Sequence, residues 1–299
     1  MKILKDYLGL YTDMYQLTMM EAYFKEGKHN CQASFDYFFR KIPYEGGFVV
    51  FSGLSELIDS LSEIKFGKDD IDFLHKKKFS SNFLNYLEGF SFAGNIHSVE
   101  EGTIVFPNEP IVTVEGKLSE IQLLETYLLN ILNFNSLIST KAARIRLIAK
   151  DKVLSDFGLR RAQGFGGLQA SRAAIIGGFD STSNVLAAKL FDLIPVGTMA
   201  HSFIQSYDDE LTAFRKYAET FPDSTVLLID TYNTLESGLP NAITVAKELE
   251  ESGHQLKGIR LDSGDLAYLS KAARKKLDDA GLSYVKIVVS NQLDERVIK

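Results

Sequence analysis

The spacing of apolar and polar positions gives the chain two different rhythms. In the first part the rhythm is mixed. Residues 12–27, TDMYQLTMMEAYFKEG, place apolar side chains at helical intervals, with Thr12 or Asp13 at the start and Gly27 past the end. CQASFDYFFRKIP alternates, with Phe35, Tyr37 and Phe39 sharing one side, and so predicts a strand. Residues 95–116 read as short strands divided by turns at Glu101-Gly102 and Pro107-Asn108. The stretch LSEIQLLETYLLNILNFNSLISTKAARIRLIAK keeps a helical period throughout. It predicts two helices that cross from one domain to the next.

From residue 150 the rhythm changes. Five short apolar runs follow, at 152–158, 191–198, 225–232, 258–264 and 284–291. Helical segments lie between them: LQASRAAII with SNVLAAKL, IQSYDDELTAFRKYAETF, NAITVAKELEES and LAYLSKAARKKLDDAG. Buried runs alternating with helices indicate βα units and a parallel sheet. A barrel accounts for the series as well as an open sheet does. The expected division is a mixed α+β domain over residues 1–135, with short antiparallel strands, and a parallel α/β domain over 136–299. Five strands do not close an eight-stranded barrel. The expectation is therefore a barrel whose C-terminal part lies beyond this chain.

Composition narrows the class. The chain has 299 residues, 45% hydrophobic and 24% charged, enough for a full globular core. Its net charge of -6 speaks against a general nucleic-acid or anionic-membrane binder, which needs a basic face. A single cysteine, Cys31, excludes an intrachain disulfide and a cysteine-built zinc site. The N-terminus lacks the apolar core of a secretion signal, and no run of about 18 apolar residues could span a bilayer. A cytoplasmic protein is expected.

The polar residues collect where the apolar runs end, which is where parallel α/β folds hold their ligands. In SDFGLRRAQG, Phe157 could stack on a flat heterocycle, and Arg160 with Arg161 could grip a carboxylate or phosphate. A core phenylalanine and surface ion pairs explain the same residues. GGFDSTSNV places Asp180, Ser181 and Thr182 before a helix, either as an anion site or as a plain N-cap. GTMAHSF contains His201, suited to act as acid, base or nucleophile, with Thr198 three residues earlier. Asp230 in LLIDTYNT could meet ribose hydroxyls or a magnesium–pyrophosphate unit, or simply start a turn. RLDSGDL carries the strongest signal. Arg260 stands among the apolar residues of a strand, which a turn running through Asp262, Ser263, Gly264 and Asp265 does not explain.

Taken in order, these motifs resemble the nicotinate phosphoribosyltransferases, type II phosphoribosyltransferases. The resemblance runs from TDMYQLTMMEAYF through SFDYFFRKIP, STKAARI, SDFGLRRAQG, GGFDSTSNV, GTMAHSF, IDTYNT and RLDSGDL to SNQLDE, nearly the whole chain. It implies an irregular (β/α) barrel beside the mixed N-terminal domain. It also implies an activity in NAD salvage: transfer of phosphoribosyl from phosphoribosyl pyrophosphate to nicotinate, coupled to ATP through a phosphohistidine, with Mg²⁺ as cofactor. His201 matches the phosphorylated position, and Asp262 joins it as a catalytic residue. Phe157 would stack on the pyridine ring against Tyr15 of a second subunit, which implies a homodimer with shared sites. By its own surroundings in sequence, Tyr15 reads as a tyrosine buried in a helix. Arg260 and Thr198 would hold nicotinate, Arg160 would sit by the phosphates, and Ser263 and Gly264 would line the phosphoribosyl site. Asp180, Ser181, Asp230 and Asn291 join as further candidates, and no residue is assigned as a metal ligand. The family's glycine-threonine phosphate loop is expected beyond Lys299, which leaves the activity of the 299-residue chain itself open.

Other readings stay in view. The same fold could take nicotinamide or quinolinate, or the chain could be a non-catalytic remnant. A sugar-phosphate aldolase would want a lysine at a strand end, whereas Lys257 and Lys286 stand near strand starts.

Overall fold

The computed structural model describes residues 8–298. The N-terminal stretch read above for a secretion signal falls partly on residues 1–7, which lie outside the described residues, as does Lys299. The fold is mixed α/β, in two compact units, one running to Pro195 and the other starting at Val196.

In the first unit, helix Met14–Lys25 starts after Asp13 and ends before Gly27, whose φ of +71° suits a glycine helix stop. Strand β1 (Gln32–Tyr37) follows the predicted alternation. β2 (Val49–Val50), β3 (Asn95–Ser98), β4 (Ile104–Val105) and β5 (Val112–Lys117) complete the antiparallel part. The sheet order is β1-β5-β3, with Tyr37 opposite Val112 and Phe35 opposite Val114, while β2 pairs with β4. Val112 and Val114 point into a core shared with Met20, Phe51, Phe83 and Leu132.

The two helices expected after β5 are one. Helix Leu118–Ala149 runs unbroken for 32 residues, about 48 Å at the usual rise. No glycine or proline interrupts it. Within it, Asn135 donates its side-chain amide back to the Ile131 carbonyl at 2.9 Å. Further along, Ser136 and Thr140 accept the backbone N–H groups of Ser52 and Val50, so the helix serves as the missing partner of β2.

Parallel strands begin with β6 (Ser155–Asp156) and β7 (Ser181–Thr182), paired Ser155 to Ser181 and Asp156 to Thr182. β7 was not foreseen, because its residues read as a helix start. Conversely, the strand expected at 191–198 reduces to a single parallel bridge between Thr182 and Pro195. Pro195 has no N–H to extend the ladder, and the preceding helix, Val185–Phe191, runs into the segment before stopping at Asp192.

In the second unit, β8 (Val226–Leu228), β9 (Gly258–Leu261) and β10 (Lys286–Val289) form a parallel sheet with β9 in the middle. Helices Leu239–Glu251 and Leu266–Asp279 make the crossovers. The core gathers Phe214, Leu227, Leu228, Ile259, Leu261 and Leu277, all buried. The single helix expected over 204–221 is two, His201–Gln205 and Glu210–Thr220, because Asp209 turns the chain and caps the second by accepting the Thr212 N–H. Among the described residues the parallel strands form these two sheets and no closed sheet. No helix among them is long and apolar enough to cross a membrane.

Candidate functional site

Parallel strands end on one side of their sheet, so the residues just past β8, β9 and β10 meet. Ile259 and Leu261 turn into the core, which sends Arg260 to the opposite side by simple alternation. Its side chain is only 12% exposed, and the guanidinium is held on several sides. Nη1 donates to Thr198 Oγ1 at 3.1 Å and to the Met199 carbonyl at 3.3 Å. Nη2 donates to Asp262 Oδ1 at 2.9 Å, and Nε to Ser290 Oγ at 2.9 Å. Ser290 in turn donates to Asp262 Oδ1 at 2.5 Å.

Burial works to raise the Asp262 carboxyl, but the Ser290 hydroxyl, the Arg260 cation and His201 outweigh it and hold it below its ordinary value. Asp262 is thus an anion tied to a cation. His201 opens its short helix beside this pair. Its Nε2 lies 3.8 Å from Asp262 Oδ2, and its Nδ1 lies 3.1 Å from Thr231 Oγ1.

Asp230 ties the loop past β8 to the loop past β9, accepting the Asp262 N–H at 2.8 Å and the Ser263 hydroxyl at 2.6 Å through Oδ2. Its other oxygen, Oδ1, is buried without a hydrogen-bond partner among the described residues. Gly264 turns the chain at φ +77°, a left-handed value that favours glycine. Asp265 then caps helix Leu266–Asp279 by accepting the Tyr268 N–H. The turn-and-cap explanation of RLDSGDL therefore holds for Gly264 and Asp265 and leaves Arg260, Asp262 and Ser263 for other work. Asn291 is exposed, with a left-handed φ of +84°.

The remaining candidates lie in the first unit. Phe157 follows β6 and is half-buried, and Arg160 is exposed on the turn Leu159–Arg161. Asp180 accepts the Leu154 N–H at 2.7 Å and pairs with Arg146 at 2.6 Å, and these contacts hold its carboxyl below the ordinary value. Ser181 is buried against the Ser155 hydroxyl at 2.7 Å. The helix after them is capped by Asn184, which accepts the Ala187 N–H, so the cap explanation of GGFDSTSNV is realised at a residue of that motif not singled out for it. Tyr15 is 50% exposed on its helix, unlike the buried tyrosine its sequence surroundings favour. A groove of about 470 Å³ opens between β1 and helix Leu118–Ala149, but its walls are largely apolar and it holds none of the candidates.

Three residues of these clusters were not singled out from sequence. Ser290 and Thr231 sit past β10 and β8 as Asp262 sits past β9, so the strand-end rule applied evenly would have found them. Asp156 is the hub of the loop past β6, accepting the Gly158 N–H and the Ser171 and Thr182 hydroxyls.

Comparison with known proteins bears on the whole chain. Residues 10–133 match the nicotinate phosphoribosyltransferase N-terminal domain, and residues 153–298 match the nicotinate phosphoribosyltransferase family. The nicotinate phosphoribosyltransferase of Bacillus subtilis is 50% identical over 98% of this chain, which covers 60% of that protein. The chain spans about 60% of the length of the curated relatives it matches. The crystal structure of human nicotinic acid phosphoribosyltransferase superposes with a TM-score of 0.90 at 36% identity, over 96% of this chain and 69% of the human one. A nicotinate-nucleotide pyrophosphorylase from Pyrococcus furiosus follows at a TM-score of 0.80 and 26% identity, over 98% of this chain and 68% of its own. Two consecutive family matches, extensive identity and a close structural likeness agree, and the chain belongs to the nicotinate phosphoribosyltransferase family.

Proposed function

We propose that this chain carries the nucleotide-forming centre of an enzyme that transfers phosphoribosyl from phosphoribosyl pyrophosphate to nicotinate, with ATP hydrolysis coupled through His201. The observation that carries this is the mutually bonded set Thr198, Arg260, Asp262 and Ser290 with His201 beside it. The ring nitrogen of nicotinate attacks C1 of the sugar. The C1–O bond breaks, and its electron pair leaves with pyrophosphate, giving nicotinate mononucleotide. Arg260 meets the nicotinate carboxylate with Thr198 beside it, exchanging part of its bonding to Asp262. Asp262, kept as an anion, faces the positive charge that develops at C1. Phe157 stacks on the pyridine ring, and Tyr15 of a second copy closes the other face of the ring in a homodimer. Arg160 meets phosphate, Ser263 and Gly264 line the sugar phosphate, and Asp180, Ser181, Asp230 and Asn291 complete the set of candidate residues.

His201 accepts the γ-phosphoryl group of ATP as ADP leaves. Water later returns that group as inorganic phosphate and frees the ring for the next turnover. Mg²⁺, when bound, neutralises charge on the pyrophosphate leaving group. Among the described residues no group of three or more His, Cys, Asp or Glu side chains could cage a metal. The ion fits as one carried on the substrate and met by one or two carboxylates, and Asp230, with an unpartnered oxygen, suits that part. The parallel strands past residue 150 belong, in this reading, to an irregular barrel divided from the N-terminal domain near residue 135. A single exposed cysteine suits a cytoplasmic setting.

The test is a coupled assay of the chain with nicotinate, nicotinamide or quinolinate, each with and without ATP, alongside ATP labelling of His201. ATP-stimulated turnover of nicotinate with an acid-labile label on His201 is expected. Equal turnover of nicotinamide or quinolinate overturns the choice of base. Turnover without any label overturns the coupling, and neither turnover nor label overturns the enzyme reading.

A further inference from the structure

The loop past β8 contains one side chain that the reaction above does not use and that touches the proposed phosphate acceptor. We propose that Thr231 is a positioning residue, whose hydroxyl holds the His201 ring in the tautomer with the proton on Nε2 and the free electron pair on Nδ1. The proposal rests on the reading of His201 as the phosphoryl acceptor, and adds to it what fixes the ring.

Geometry supplies the argument. The ring is contacted at both nitrogens by different loops, Thr231 Oγ1 at 3.1 Å from Nδ1 and Asp262 Oδ2 at 3.8 Å from Nε2. A threonine hydroxyl can donate or accept, so by itself it does not choose a tautomer. Asp262 makes the choice. A carboxylate facing Nε2 repels an electron pair there and attracts an N–H, and the Arg260 and Ser290 contacts favour the ionised carboxylate. With the proton on Nε2, Nδ1 is an acceptor and Thr231 donates to it. The anchoring is firm on the threonine side. Its neighbour Asp230 is bound to the Asp262 N–H and the Ser263 hydroxyl, and the Ile229 N–H donates to the Arg260 carbonyl at 3.1 Å. A β-branched side chain adds a stiff χ1. His201, by contrast, is the first residue of a five-residue helix and has a side chain 40% exposed. Without the threonine contact the ring has room to turn. The free pair on Nδ1 is released to the γ-phosphoryl group when the Thr231 hydroxyl turns away from it, so the ring enters the reaction from one tautomer instead of a mixture, which raises the reactive fraction.

The experiment compares the chain with Thr231→Val, which keeps the shape and loses the hydroxyl, and Thr231→Ser, which keeps the hydroxyl. Histidine is labelled with ¹⁵N, and His201→Gln identifies the His201 ring signals in long-range proton–nitrogen spectra recorded without ATP. The unsubstituted chain and Thr231→Ser should show one tautomer with Nδ1 unprotonated, and Thr231→Val should move toward a mixture. A Thr231→Val ring indistinguishable from the unsubstituted one, or a protonated Nδ1 in the neutral ring of the unsubstituted chain, overturns the proposal. In a second arm, Thr231→Val should slow labelling of His201 by ATP about three- to tenfold, the worth of one ordinary hydrogen bond. KM for nicotinate should stay unchanged, and Thr231→Ser should restore the rate. Loss of labelling that serine does not restore marks a merely structural role and also overturns it. If ATP labels no variant, the acceptor reading fails, while the spectra still decide what Thr231 does.

Discussion

At the end of β6 the polar side chains are bound to the scaffold, whereas at the end of β9 they are bound chiefly to one another. Asp156 spends its carboxylate on the Gly158 N–H and on the hydroxyls of Ser171 and Thr182, both wholly buried. Those bonds fix a turn and leave Arg160 exposed beyond it. Past β9, Arg260, Asp262 and Ser290 satisfy each other, and Thr198 and His201 join from another segment. Such a set is held in place, yet a ligand carboxylate or phosphate could take over part of its bonding. The comparison teaches that polar residues at a strand end have two uses, told apart by what they bond to.

The strongest way to break this comparison is Arg260→Ala. It strips the cation from a mostly buried cluster and leaves the Asp262 anion behind. Unfolding in urea should show a loss of about 3 kcal/mol, and kcat/KM for nicotinate should fall by at least about a hundredfold. Arg160→Ala, past β6, should change stability by less than about 0.5 kcal/mol because it is exposed, while weakening the use of phosphoribosyl pyrophosphate. Equal destabilisation by the two would erase the distinction.

Next in size is Asp156→Ala, which removes the acceptor of the Gly158 N–H and forces the buried Ser171 and Thr182 hydroxyls onto their second acceptors, the Gly167 carbonyl and the Ser171 oxygen. A cost of about 2–3 kcal/mol is expected, with Asp156→Asn recovering part of it because the amide oxygen can still accept. Denaturant unfolding of the three proteins checks this. A loss of activity without loss of stability would move Asp156 from the scaffold to the site. Ser290→Ala is milder. It removes one hydroxyl shared by Arg260 and Asp262, so KM for nicotinate should rise about three- to tenfold with little change in unfolding. An unchanged KM would show that the serine only packs.

Much of this was legible in the sequence, and the misses have physical causes. Helix Met14–Lys25, β1 and the β8–β9–β10 series followed from periodicity and turn residues. β7 was hidden because its two residues are Ser and Thr, types that read as a cap and give no apolar run. Run 191–198 looked like a strand by hydrophobicity, but Pro195 allows only a bridge. The long helix spans the domain boundary expected near residue 135, where two helices were expected, although no residue in it stops a helix. For the site, Arg260 announced itself as a charge inside an apolar strand. Thr231 and Ser290 did not, since a hydroxyl after a strand is common and only proximity to His201 and Asp262 gives it meaning.

The smallest effect separates two aspartates that share a sign. Asp262 and Asp180 are both held below the ordinary carboxylate value of 3.8 in the folded chain. For each, the folded form binds fewer protons than the unfolded one near that value. The stability each contributes is present above about 3.8 and disappears as pH falls through the folded value. Their surroundings differ. Asp262 is 21% exposed, whereas Asp180 is 48% exposed, so solvent and salt screen its pairing with Arg146, a contact worth less than about 1 kcal/mol. Unfolding free energies from about pH 5 to about pH 2 should therefore fall less steeply in Asp262→Asn than in the unsubstituted chain. Asp180→Asn should flatten the curve only slightly, mostly through the lost charge on the Leu154 N–H contact. In about 1 M salt, where screening acts within about 3 Å, the part of the Asp180→Asn difference due to Arg146 should shrink, leaving the small Leu154 part, while the Asp262→Asn difference persists. If Asp180→Asn flattens the acid limb as much as Asp262→Asn in high salt, the first unit holds its charge as tightly as the second. The strand-end contrast would then lie in position alone and not in how firmly the charges are held.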